Sequence, residues 1–137
     1  MTHSLQNVFI SYAQADRAHA EGVVRALSHA GVSVWIDKAK IKGGDQWDTE
    51  IHKALNEAKV MVLIVSARSL ESQWVNYEIG SAIAAGIPVI PVLVGDVKSL
   101  PKLLRQVQVI DARGLDEISM GEKVATALER FRGEDDS

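Results

Sequence analysis

Trp74 and Glu78 stand four residues apart, at a spacing that puts an aromatic ring and a carboxylate on one helix face about one turn from each other. A carboxylate can stabilise positive charge, and a ring can stack on a flat base. Their ordinary roles are solvated surface for the Glu and packing for the Trp. Val75, Ile79, Ala82 and Ile83 make a better core stripe, so the pair is expected beside that stripe, near the helix start. The stretch follows the apolar run Val60-Met61-Val62-Leu63-Ile64-Val65, closed by Ser66, which reads as a buried strand. One helix is expected from there to Gly86.

The elements that must position the pair alternate. Val8-Phe9-Ile10 is a first strand ending at Ser11-Tyr12, and Asp16 is placed to N-cap the helix carrying Ala20, Val23, Val24 and Leu27. Gly31 is placed to end that helix. Val32 to Ile36 is a second strand ending at Asp37. A basic, glycine-bearing loop follows, with Lys38, Lys40, Lys42, Gly43, Gly44 and Asp45, and then an amphipathic helix through Trp47, Ile51, Ala54, Leu55 and Ala58. Ile87 to Val94 is a fourth strand whose Pro91 is awkward, since proline cannot donate to a ladder and belongs at edges or bulges. Leu100 to Leu104 suggest a short helix, Val107 to Ile110 a fifth strand, and Met120, Val124, Ala127, Leu128 and Phe131 a closing helix.

Strands alternating with helices predict an α/β domain built on a parallel sheet. With five strands the common arrangement is flavodoxin-like, order 2-1-3-4-5, with helices on both faces. Ligands bind such sheets beyond the carboxyl ends of the strands, where the order reverses. That crevice would be floored by Ser11, Tyr12 and Ser66 and flanked by Asp37, with Trp74 and Glu78 facing it.

The 137 residues fit a single domain over 1–133, with an acidic, disordered tail over 134–137. The absence of cysteine excludes disulfides, Cys-ligated metal and a Cys nucleophile. The net charge of −3 argues against nucleic acid as a partner. No apolar run reaches membrane-spanning length, and Met1-Thr2-His3-Ser4 carries no basic segment ahead of an apolar one, so a soluble, cytoplasmic protein is expected. His3, His19, His29 and His52 make no metal cluster. There is no P-loop, no dinucleotide-binding glycine motif after the first strand and no Gly-x-Ser-x-Gly elbow. A phosphoacceptor receiver domain shares the topology but needs acidic residues after strand 1 and an aspartate after strand 3, where this chain has Ser11-Tyr12 and Ser66.

Taken in order, Phe9-Ile10-Ser11-Tyr12, Asp16, Val34-Trp35-Ile36-Asp37, Gly44-Asp45-Gln46-Trp47, Ser66 and Trp74-x-x-x-Glu78 resemble a TIR domain of the bacterial kind, from about Asn7 to Phe131. The resemblance implies cleavage of NAD+ at the nicotinamide–ribose bond, giving nicotinamide and ADP-ribose or a cyclic isomer. NAD+ is then the substrate, and no cofactor or metal is implied. The family's catalytic glutamate falls on Glu78 and its aromatic on Trp74. Ser11, Tyr12, Asp37, Lys40, Trp47 and Ser66 become candidate substrate contacts, and the Asp37–Trp47 loop the family's mobile loop and a self-association surface. The alternative is a non-catalytic module that signals, or interferes with host signalling, by TIR–TIR association; members of that kind generally lack a glutamate here. A role in bacterial antiphage signalling fits the start at Met1.

Overall fold

A computed structural model describes residues 8–36, 58–105 and 107–135; the side chains of Trp35, Ile36, Trp74, Leu103, Arg105 and residues 130–135 lie outside that description. Among the described residues the strands are β1 (Val8–Ser11), β2 (Val34–Ile36), β3 (Val60–Val65), β4 (Val89–Leu93) and β5 (Ile110–Asp111). The helices are α1 (Arg17–His29), entered through a 3₁₀ turn at Gln14–Asp16, then α2 (Ala67–Glu71), α3 (Gln73–Ala84), α4 (Lys102–Arg105) and α5 (Glu117–Asp135). The sheet order is β2-β1-β3-β4-β5, and each neighbouring pair is parallel. The reversal therefore lies where β1 touches both β2 and β3.

Strand periodicity divides the core into two layers. Val8 and Ile10 of β1, Val60, Val62 and Ile64 of β3, and Ile90 and Val92 of β4 meet Val23 and Leu27 of α1 and Met120, Val124 and Leu128 of α5. The alternate residues Phe9, Met61, Leu63 and Val65 face the other way, onto Val75, Ile79 and Ala82 of α3 and onto Leu104. Both faces of β1 and β3 are covered, which is why these strands are apolar runs without polar alternation. Ser11 follows Phe9 by two residues, so its side chain belongs to the α3 layer.

Several boundaries differ from the sequence expectation, each for a local reason. The expected single helix after β3 is two helices. Ser72 takes an extended conformation (φ −77°, ψ 121°), its hydroxyl accepts from the Val75 amide at 3.2 Å, and α3 starts there. Ile83, assigned to the core stripe, is 44% exposed. The fifth strand is Ile110–Asp111, and Val107 lies outside it and exposed. The closing helix runs through Glu134 and Asp135, the first half of the expected disordered tail. The helix expected through Trp47, Ile51, Ala54 and Leu55 lies outside the described residues.

Pro91 sits inside the sheet rather than at an edge or bulge. The Met61 amide donates to Pro88 O at 2.8 Å and the Val94 amide to Val65 O at 3.0 Å, so the even-numbered residues of this segment bond to β3. Leu93 O accepts from the Ala112 amide at 2.9 Å, so the odd-numbered residues face β5. Pairing with β5 begins only at Val92↔Ile110. The donor that proline lacks would point past the start of β5, and no ladder bond is lost.

Candidate functional site

The site is built from the end of β1, the end of β3 and helix α3. Glu78 is fully buried, and so is Ser11. The Ser11 hydroxyl donates to Glu78 Oε1 at 2.6 Å. That length is short for a hydroxyl donor, as expected when a carboxylate accepts. Glu78 thus occupies the i+3 position of the buried stripe Val75, Glu78, Ile79, Ala82, rather than a place beside it. The sequence expectation gave that place to Ile83. Both stripes fit a helix equally well, and the tertiary partner on β1 decides between them.

A second carboxylate–hydroxyl pair lies next along the chain from Ser11. Asp16, 7% exposed, stands at the α1 N-cap position, yet its side chain caps nothing there. Its Oδ2 instead accepts from Ser66 Oγ at 2.5 Å. Ser66 is itself the N-cap of α2. Its hydroxyl accepts from the Ser69 amide at 3.1 Å, and Ser69 Oγ accepts from the Ser66 amide at 2.8 Å, a reciprocal capping box. Sequence reasoning offered the Ser66 hydroxyl to a substrate; here its proton is directed to Asp16. The Asp16–Ser66 pair was missed. The only signal for it was a capping-type aspartate five residues after β1 and a capping-type serine directly after the adjacent parallel strand β3.

The remaining candidates divide. Tyr12 is 6% exposed and packs in the α1/α5 layer, opposite the layer that holds Ser11 and Glu78. Trp74 is the second residue of α3, one turn before Glu78. Asp37, Lys40 and Trp47, with the rest of the Asp37–Trp47 loop, lie outside the described residues.

Two other features bound the site. At the carboxyl ends of β4 and β5, Arg113 bridges Asp96 (2.9 Å) and Asp111 (2.8 Å). The side-chain hydrogen bond from Arg113 is the main cause that holds the Asp111 carboxyl down at about 2, well below its ordinary value. These are exposed ion pairs, and they contribute little to stability. An apolar groove lined by Ile83, Gly86, Ile87, Pro88, Val89, Leu104 and Val107 opens at the amino end of β4, the edge of the sheet opposite Ser11 and Ser66. Among the described residues no group of three or more His, Asp or Glu side chains is placed to hold a metal ion, and no helix is long and apolar enough to cross a membrane.

The arrangement is an acidic group at the reversal of the sheet, gripped by a strand residue and carried on a helix whose sequence has Trp74 four residues earlier. Such a group can bind sugar hydroxyls and stabilise a developing cation.

Comparison with known proteins agrees with the fold. The TIR domain family profile matches residues 8–128. The 2' cyclic ADP-D-ribose synthase AbTIR of Acinetobacter baumannii is 29% identical over 79 residues, which are 57% of this chain and 29% of that protein. The NAD(+) hydrolase TcpC of Escherichia coli is 32% identical over 76 residues, 55% of this chain and 25% of that protein. This chain therefore spans less than a third of these relatives. A metazoan TIR-STING receptor from C. gigas superposes with a TM-score of 0.71 at 24% identity, over 93% of this chain and 41% of that one, and shows the same α/β fold with a parallel sheet. With the profile covering nearly the whole described chain, the protein belongs to the TIR domain family.

Proposed function

We propose that this domain cleaves NAD+ at the nicotinamide–ribosyl bond, with Glu78 as its catalytic carboxylate. The observation that carries the reading is the Ser11–Glu78 hydrogen bond, which fixes a carboxylate at the carboxyl end of β1, where the sheet order reverses. The activities for which AbTIR and TcpC are named support the choice of substrate.

The chemistry demands little of the protein. Nicotinamide is a cationic pyridinium in NAD+ and leaves neutral, so no general acid is needed. The transition state resembles a ribosyl oxocarbenium ion, as in glycoside hydrolysis. One carboxylate can bind the ribose hydroxyls and stabilise the growing positive charge. Water capture gives ADP-ribose; capture by a nucleophile of the same molecule gives a cyclic isomer. In this reading Trp74 stacks on a base, Lys40 attracts the pyrophosphate, and Asp37 and Trp47 complete the pocket. The Asp37–Trp47 loop is held in place by a second TIR domain, and the product serves a signalling role in bacterial immunity.

Nicotinamide release from NAD+, followed by chromatography, tests the reading. Specific activity should rise with protein concentration as neighbouring domains come to hold the loop. A constant specific activity across a wide dilution series would remove the self-association element, and no release at any concentration would remove the activity.

A further inference from the structure

The sequence offers the Ser11 hydroxyl to a ribose or a phosphate. The geometry assigns it elsewhere: we propose that Ser11 is a positioning residue for Glu78, fixing the carboxylate rather than contacting the substrate. The proposal rests on the NAD+-cleaving reading and names the group that makes that site work.

Three observations carry it. First, a serine hydroxyl has one proton, and at 2.6 Å this one is directed to Glu78 Oε1. A phosphate oxygen accepts and cannot donate, so it has nothing to take from this hydroxyl. Second, both partners are fully buried and stand on rigid elements. Ser11 is in register with Leu63 of the neighbouring β3, and Glu78 lies on α3 between Val75 and Ala82, both buried. The bond joins residues 67 apart in sequence, so it ties helix to strand. Third, the other residues of β1, Val8, Phe9 and Ile10, are apolar and equally buried, so the strand has no packing need for a hydroxyl at position 11. An apolar residue there would build the same strand and leave Oε1 without this donor. Side chains locked by packing and hydrogen bonds in this way hold catalytic groups in productive geometry.

The test uses Ser11→Ala, Ser11→Thr, Glu78→Ala and the Ser11→Ala/Glu78→Ala double variant. Urea denaturation asks whether the bond contributes. Ser11→Ala should lower the unfolding midpoint in the parental protein and raise it in the Glu78→Ala background, where the buried hydroxyl has lost this acceptor; an equal lowering in both would overturn the pairing whatever the activity. Steady-state nicotinamide release asks what the bond does. Ser11→Ala should lower kcat on the order of tenfold or more while KM for NAD+ stays within about twofold, because a displaced carboxylate slows the chemical step. Ser11→Thr, which keeps the hydroxyl, should recover most of kcat. A raised KM at unchanged kcat would make Ser11 a substrate ligand and overturn the proposal. A raised kcat would make the bond a latch on the carboxylate and overturn it too. Parental protein that releases no nicotinamide would overturn the NAD+ reading and the positioning role with it, while the denaturation cycle would still report separately on the bond.

Discussion

The carboxylate at position 78 sits inside the α3 layer with Ser11 meeting it from β1. Burying a charged group without such a partner would cost several kcal/mol (roughly). Glu78→Ala is consequently not the surface change that a helical-wheel reading suggests: it leaves the buried Ser11 hydroxyl without its acceptor, at about 1–3 kcal/mol. Glu78→Gln is the cleaner chemical probe, since its amide oxygen can still accept from Ser11 while the charge is gone. Trp74 carries a separate expectation. Stacking of a base on an aromatic contributes about 1–3 kcal/mol, and folding the substrate back for cyclisation costs conformational entropy. Trp74→Ala should therefore shift any cyclic product toward linear ADP-ribose more than it slows nicotinamide release, and Trp74→Phe should keep the parental ratio. Chromatography of the products from the three proteins checks this; a parental enzyme that makes only linear product would remove the cyclisation role.

The segment from Ser66 to Ala84 shows what two serines do for a helix that must be aimed. Ser66 caps α2 and binds Asp16; Ser72 breaks the chain and caps α3. Ser72→Ala removes one cap and should cost about 0.5–2 kcal/mol. Ser66→Ala removes a cap and also deprives the buried Asp16 carboxylate of its donor, which adds about 1–3 kcal/mol. Thermal or urea denaturation should rank Ser66→Ala as the more damaging, and equal losses would mean the Asp16 contact contributes nothing. These elements also mark how far sequence alone could reach. The two central strands, α1 with its Gly31 stop (φ +83°) and the closing helix were legible from apolar runs, periodicity and a glycine. The break at Ser72 was not, because serine caps and interior serines look alike until a chain direction is known. The tolerance of Pro91 was not, because it depends on which neighbour each residue of β4 bonds. The choice between Glu78 and Ile83 for the buried stripe was not, because it is made by a residue 67 positions away.

At the scale of the molecule, the sheet separates two jobs. The α1/α5 layer is structural: its helices approach so closely that a Cβ at Gly121 would lie 2.1 Å from the Cβ of Ala26. Gly121→Ala cannot be absorbed without moving one helix, and overpacking of this kind costs about 1–3 kcal/mol or more; a lowered melting temperature with nicotinamide release retained below it would match that division. The opposite layer, with α3, brings Ser11 and Glu78 together at the reversal of the sheet.

The catalytic role of Glu78 is tested most directly by nicotinamide release from NAD+ by concentrated parental protein and by Glu78→Gln, with unfolding curves taken on both. The parent should release nicotinamide and Glu78→Gln should lose at least about two orders of magnitude, with closely similar unfolding midpoints. Release by Glu78→Gln at the parental rate would mean that Glu78 is not the catalytic carboxylate.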